Sequence, residues 1–236
     1  MIVVVVVGII LLFFIITIIR YQRKTMRWNK EKIRAEIDTL ENERRRIAAD
    51  LHDELGPLLS AVKLQINNLD TNNADDKIII DKSSHYIDNI IGKLREISNN
   101  LMPNTLLRKG LKKAMEEFLE SSSRLYKMEI KFTCDDNLQL DQQQEINIYR
   151  ILQEIFHNTI KHAEATCLII RMTAENNRLI IVTADNGQGF DYSTKSREVS
   201  GLGLRNLQSR AEVLGGEVAC SSEPGKGTMY TFEIPV

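Results

Sequence analysis

Four textures of hydrophobic and polar positions follow one another along the chain. From Ile2 to Ile19 every residue is apolar except Gly8 and Thr17, a run that at ~1.5 Å per residue nearly crosses the hydrocarbon core of a bilayer. Asn29 to Arg46 is charge-dense and reads as a solvated helix continuing from that run. Ile47, Leu51, Leu55, Leu58, Val62, Ile66 and Leu69 then recur in steps of three and four, the spacing of an amphipathic helix. After a polar break from Asp70 to Asp76, a second stripe (Ile80, Ser83, Ile87, Ile90, Leu94, Ile97, Leu101) keeps a heptad. Two such helices predict a hairpin, and a lone hairpin cannot bury both stripes. Pairing with a second copy into a four-helix bundle is therefore expected, which makes the chain a homodimer.

Beyond Met102-Pro103 the pattern turns mixed α/β. Helices are predicted over Leu111–Ser121, Asp141–Ala163 and Leu204–Leu214, and strands over Glu129–Thr133, Leu168–Thr173, Arg178–Ala184, Glu217–Ser221 and Met229–Ile234. The organisation that follows is an anchor over 1–20, a charged helical linker over 21–42, a helical dimerisation hairpin over 43–102 and an α/β domain over 103–236.

Charge orients the anchor. Arg20, Arg23, Lys24, Arg27 and Lys30 follow it before the first acid, Glu31, and positive charge stays cytoplasmic, so the body of the chain is expected on the cytoplasmic side of a single span. A cleaved signal peptide would need a basic n-region and a small-residue cleavage site, where this sequence has Arg20 and Tyr21. The net charge of −1, with 43% hydrophobic residues, excludes wholesale disorder and a strongly basic nucleic-acid binder. Three scattered cysteines (Cys134, Cys167, Cys220) without a C-x-x-C make a disulfide scaffold or a Cys-based zinc site untenable.

Four segments carry candidate chemistry. His52 lies one residue past the stripe member Leu51, about 100° round the helix, where an imidazole reaches solvent on a rigid support. The adjacent Asp53 can take a proton from that ring, and Gly56-Pro57 predicts a bend one turn beyond. On the helix Asp141–Ala163, Glu154, Asn158, Lys161 and His162 stand at i, i+4, i+7 and i+8 on one polar face. A carboxylate and an amide oxygen one turn apart suit Mg²⁺, which takes its other ligands from water and phosphates, and Lys161 would offset phosphate charge. His157 and His162, five apart, do not share a face for zinc.

The third segment is Asp185-Asn-Gly-Gln-Gly-Phe190, after an Ile/Val-rich strand. Gly187 and Gly189 let backbone approach a ligand, and Asp185 can accept from an exocyclic amine such as that of adenine. The fourth, Gly201-Leu-Gly-Leu204, opens a helix whose free N–H groups form a phosphate site. Between them, Asp191–Ser200 is polar and reads as a mobile lid. Gly225-Lys-Gly-Thr228 turns between the last two strands.

In this order and spacing the sequence resembles the sensor histidine kinases of bacterial two-component systems, in the HisKA_3-type subgroup that includes nitrate sensors and a membrane-fluidity sensor. Leu51–Gly56 is similar to that subgroup's phosphoacceptor box, Gln153–Ala163 to its N box, and Asp185–Phe190, Gly201–Leu204 and Gly225–Thr228 to its glycine boxes. The resemblance runs from about Glu43 to the carboxyl end. It implies a fold of α plus α/β: a transmembrane helix, a hairpin forming a dimeric four-helix bundle, and an α/β-sandwich ATP-binding domain of the Bergerat (gyrase, chaperone, kinase, mismatch-repair) type. It further implies ATP and Mg²⁺ as cofactors, and a cytoplasmic response regulator as partner. Membrane lipid is contacted only through the N-terminal helix, in the bacterial inner membrane, and nucleic acid not at all.

Carried over residue by residue, His52 is the phosphoacceptor and Asp53 its general base, with Glu154 nearby. Asn158 is the Mg²⁺ ligand. Lys161, His162, Gly187, Gly189, Gly201, Gly203, Leu204, Gly225, Gly227 and Thr228 surround the nucleotide, and Asp185 reads the adenine. One position departs from the pattern: members that dephosphorylate their partner carry Gln four residues after the Asp that follows the histidine, and here that residue is Pro57. Alternatives that share the pocket are an ATP-driven clamp, a hairpin-less protein-serine kinase, and a degenerate tethered scaffold.

Overall fold

The computed structural model describes residues 2–71, 73–136, 138–191 and 202–236, with only the backbone of residues 2–7, 9 and 202. A single helix, α1 (Ile2–Asp50), runs into a π-helical turn, Leu51–Leu55, and then into α2 (Gly56–Asn67). Pro57 explains the turn: it has no N–H to give, and its ring crowds the carbonyl four residues back, at Asp53, so the helix widens by one residue there. The irregularity expected beyond His52 thus falls on His52 itself. The antiparallel partner, α3 (Ala74–Leu101), starts where the Asn73 side chain accepts from Asp75 N at 3.1 Å, with Asp75 and Asp76 in its first turn complementing the helix dipole.

The hairpin is fastened at two heights. Lys63 Nζ meets Asp88 Oδ1 at 2.6 Å, and Ser98 Oγ donates to Ala48 O at 3.1 Å in a buried bond. Part of the apolar stripe stays uncovered in one chain: Leu58 is 60% exposed, Leu69 61%, Ile90 46% and Ile97 49%.

The α/β part begins with α4 (Asn104–Tyr126), longer than its apolar pattern suggested and broken at Gly110 (φ 79°, ψ 178°). Glu145 Oε1 accepts from Leu111 N at 3.0 Å and restarts the helix after that break. The strands are β1 (Glu129–Cys134), β2 (Cys167–Glu175), β3 (Arg178–Asp185), β4 (Glu217–Ser222) and β5 (Thr228–Pro235), within two residues of their predicted bounds. They form one sheet in the order β1-β2-β3-β5-β4, with β1 and β2 parallel and every other pair antiparallel.

The parallel pair needs a crossover, supplied by α5 (Gln142–Asn158) and a second π turn, Thr159–Ala163. A reciprocal capping box between Asp141 and Gln144 starts α5. The last helix, α6 (Leu202–Val213), lies beside α5. Alternate strand residues (Leu168, Ile170, Met172, Leu179, Ile181, Phe232, Ile234) are fully buried against Met115, Ile148, Ile151, Leu152, Ile155 and Phe156 of the helices. The domain is therefore one sheet backed by helices on a single face.

Among the described residues no helix is long and apolar enough to cross a membrane. The anchor predicted over 1–20 falls partly on residues whose side chains lie outside the described set.

Candidate active site

On α5, Glu154 and Asn158 stand one turn apart and half-buried, with Asn158 Nδ2 donating to Glu154 Oε1 at 3.4 Å. The first turn of α6 approaches them so closely that a β-carbon on Gly203 would lie 2.6 Å from Glu154 Oε1 and 3.3 Å from Asn158 Nδ2. Two motifs some fifty residues apart in sequence therefore form one wall. Lys161 and His162 fall in the π turn Thr159–Ala163 and are exposed. Because that turn breaks the 100° step of the α-helix, the single face predicted for Glu154, Asn158, Lys161 and His162 does not continue past Asn158. The His162 backbone carbonyl, instead, accepts from Gln188 Nε2 at 2.5 Å.

Asp185 ends β3 with its Oδ1 accepting from Gly187 N at 2.9 Å and Thr228 N at 3.3 Å. Both bonds fall on the same oxygen, leaving Oδ2 for a ligand. Burial pushes the carboxyl above the usual carboxylate range, opposed by these two backbone donors. The loop that follows is locked in place. Gln188 N donates to Ala163 O at 2.7 Å, and Asn186 Oδ1 accepts from the Thr166 and Cys167 N–H groups at 2.9 Å each.

The Gly225-Thr228 turn closes against the same loop. Gly225 N donates to Gln188 O at 2.6 Å, Ser222 Oγ accepts from Phe190 N at 2.9 Å, and it also meets Thr228 Oγ1 at 3.0 Å. Gly227 (φ 77°) sits where any β-carbon would lie 2.0 Å from Asp185 O, so only glycine fits. Gly187 and Gly189 are likewise in backbone contact, with Ala163 and with Glu223 and Gly227 respectively. Leu204 packs on the core. Gly201, and residues 192–200 of the expected lid, lie outside the described residues.

One buried side-chain polar atom among the described residues has no partner: Thr183 Oγ1, two residues before Asp185 on the same face of β3. An orphaned hydroxyl costs ~1–3 kcal/mol unless something bonds to it. Together with the free Asp185 Oδ2 and the close-packed glycine backbone, it fits a heterocyclic base. Glu154 and Asn158 supply the hard oxygen donors that suit Mg²⁺ beside phosphates. Periodicity could not have pointed to Thr183, since it looks like any strand residue.

His52 is exposed in its π turn, at the rim of a 250 Å³ hollow lined by Leu51, Gly56, Pro57, Ser60, Leu94 and Arg95, with no lining residue from the α/β domain. Sequence reasoning missed a charged cluster elsewhere. Glu41 of α1, in the stretch read as solvated, is only 7% exposed and pairs with Arg150 Nε at 3.1 Å and Arg210 Nη2 at 2.7 Å. Burial pushes both guanidinium pKa values down, and Glu41 opposes this.

A helical hairpin bearing an exposed His-Asp pair, followed by a five-stranded sheet backed by helices, is the architecture of a histidine kinase. Residues 43–106 match the HisKA_3 model, described as histidine kinase, and residues 143–236 match HATPase_c, described as the histidine kinase-, DNA gyrase B- and HSP90-like ATPase. The chain belongs to the HisKA_3-type sensor histidine kinases. It is 28% identical over 220 residues to the oxygen sensor histidine kinase NreB of Staphylococcus carnosus, a match that takes in 91% of this chain and 62% of that protein. The histidine kinase domain of the Erythrobacter litoralis EL346 blue-light activated histidine kinase shares the fold at a TM-score of 0.51 and 15% identity, over 80% of this chain and 94% of that one.

Proposed function

We propose that the chain is a membrane-anchored sensor kinase that transfers the terminal phosphoryl group of ATP to His52 and passes it to an Asp of a response regulator. The observations that support this reading are Gly203 closing on Glu154 and Asn158, and Asp185 held through its Gly187 and Thr228 donors near the orphaned Thr183 hydroxyl. In the transfer, one ring nitrogen of a neutral His52 attacks the terminal phosphorus in line. The bond to the bridging oxygen breaks, ADP departs, and the proton of the other ring nitrogen goes to Asp53. Asp185 Oδ2 accepts from the adenine amine. Asn158, with Glu154 beside it, would hold Mg²⁺, which would neutralise charge on the phosphates.

Dimerisation follows from the uncovered stripe of Leu58, Leu69, Ile90 and Ile97. The anchor rests on the large apolar side chains from Ile10 to Ile19, which are 42–68% exposed, followed by the basic run from Arg20 to Lys30. The direct test is incubation with γ-labelled ATP and Mg²⁺. Label that resists alkali, is lost in acid and chases onto a receiver domain supports the reading, whereas label on serine or simple hydrolysis sinks it.

Gly203→Ala separates site from fold. The new methyl meets the flexible end of Glu154 rather than backbone, and alanine favours the helix by up to ~1 kcal/mol. Affinity for Mg-ATP is expected to fall about tenfold, ~1.4 kcal/mol, with no loss of thermal stability. Titration calorimetry and a melting curve check both.

Pro57 has no amide to orient a water, so phosphatase activity toward the phosphorylated regulator is expected to be negligible. Pro57→Gln restores an amide at that position and is expected to speed phospho-regulator decay, in the presence of ADP, at least about fivefold. Decay by the native chain well above spontaneous hydrolysis, and lost with His52 or Asp53, would count against this assignment.

A further inference from the structure

The 250 Å³ hollow beside His52 is lined by one permanently charged side chain, Arg95 of α3. Two helix faces make the hollow. His52, Gly56 and Ser60 recur at i, i+4 and i+8 through the π turn and α2, and Ile91, Arg95 and Ser98 at i, i+4 and i+7 along α3. Small residues leave the space. A β-carbon on Gly56 would meet nothing within 4 Å. Both serine hydroxyls are already spent on backbone: Ser60 Oγ donates to Gly56 O at 2.9 Å, and Ser98 Oγ to Ala48 O at 3.1 Å.

The guanidinium of Arg95 is not spent. Lys63, further along α2, is bonded to Asp88, whereas exposed Arg95 makes no hydrogen bond or ion pair among the described residues. No Asp or Glu belongs to the lining. The hollow is also clear of the dimer face. Gly56 and Ser60 each stand two residues from Leu58, and Arg95 two residues from Ile97, about 160° round their helices from the uncovered stripe. A second copy seated on Leu58 and Ile97 therefore leaves it open.

We infer that this hollow seats the phosphoryl group carried by His52 and that Arg95 holds it there. The inference rests on the kinase reading and adds a residue that acts on its product. A phosphoryl group brings negative charge and three acceptor oxygens to the rim. The planar fork of a guanidinium matches two of those oxygens at once. Holding also protects the bond. Loss of a phosphoryl group passes through a loose transition state, in which negative charge leaves the phosphoryl oxygens for the departing ring nitrogen. A cation on those oxygens stabilises the phosphohistidine more than that transition state, so hydrolysis slows.

The test loads the full chain, in detergent micelles, with potassium phosphoramidate, which transfers its phosphoryl group to imidazole and releases ammonia without any nucleotide. His85, exposed on α3 and outside the hollow, is the internal control. Both phosphohistidines are followed by peptide mass at neutral pH. In the native chain, phospho-His52 is expected to outlive phospho-His85 at least fivefold. Arg95→Gln is expected to bring the two lifetimes within about twofold, leaving His85 and the melting temperature unchanged. Arg95→Lys keeps the charge without the fork and is expected to retain only part of the difference. Phospho-His52 that decays as fast as phospho-His85 in the native chain, a lifetime indifferent to Arg95→Gln, or phosphoramidate that loads His85 but not His52, overturns the assignment. Absence of label from γ-labelled ATP in the native chain sinks the kinase reading alone, and the phosphoramidate lifetimes still decide the role of Arg95.

Discussion

Replacing His52 by Gln is expected to abolish acid-labile, alkali-stable labelling from γ-labelled ATP, a loss of at least about a thousandfold that reduces the signal to background. Glutamine keeps a polar side chain of similar reach but has no nitrogen lone pair able to attack phosphorus. Because His52 is exposed on the hairpin, with no lining residue of its hollow coming from the ATP-binding domain, the substitution leaves nucleotide binding and folding intact. Exposed substitutions of this kind shift stability by within ~0.5 kcal/mol. ATP-analogue affinity within about twofold of the native chain, by fluorescence titration, verifies that only the acceptor has gone. Undiminished label in this variant would mean that some other residue receives the phosphoryl group.

Asp185→Asn is expected to cost at least about a hundredfold in ATP affinity, ~2.7 kcal/mol, without cost to the fold. Asparagine retains Oδ1 as acceptor for the Gly187 and Thr228 N–H groups, so the loop keeps its anchor. The other oxygen becomes an NH₂ that meets the adenine amine donor to donor. Stability moves the other way. Burial raises the Asp185 pKa above its value of 3.8, so the native state holds this proton more tightly than the unfolded chain does. That contribution is fully present below 3.8 and is lost as pH rises through the raised folded value. At pH 7 the native chain carries the burial cost of the ionised form and the Asn variant does not. Its melting temperature in the absence of nucleotide is therefore expected to equal or exceed that of the native chain at pH 7, with the difference shrinking as pH falls. A lower melting temperature at pH 7 would mean that the carboxylate holds the fold rather than the ligand.

The π turn at Leu51–Leu55 shows how far local reading reaches. Gly56-Pro57 signalled an irregularity, but only the path of the helix decided that it would be taken up as one extra residue around His52 rather than as a kink beyond it. The second π turn, Thr159–Ala163, has no proline to announce it, and it exposes Lys161 and His162 where an unbroken helix was expected.

What the sequence determined by itself was the order of elements and the residues able to do chemistry. The period of apolar positions reports directly which way neighbouring side chains point, and this set the hairpin stripes and all five strands to within two residues. Asp185, Asn158 and His52 could be singled out for the same reason, since their local settings carry the signal. Tertiary structure alone decided which of them meet. Gly203 closes on Glu154 and Asn158 only because α6 packs beside α5. Glu41 is buried only because Arg150 and Arg210, 109 and 169 residues away, arrive to neutralise it. Whether a charge is solvated or buried depends on partners distant in the chain, and no short-range pattern encodes them.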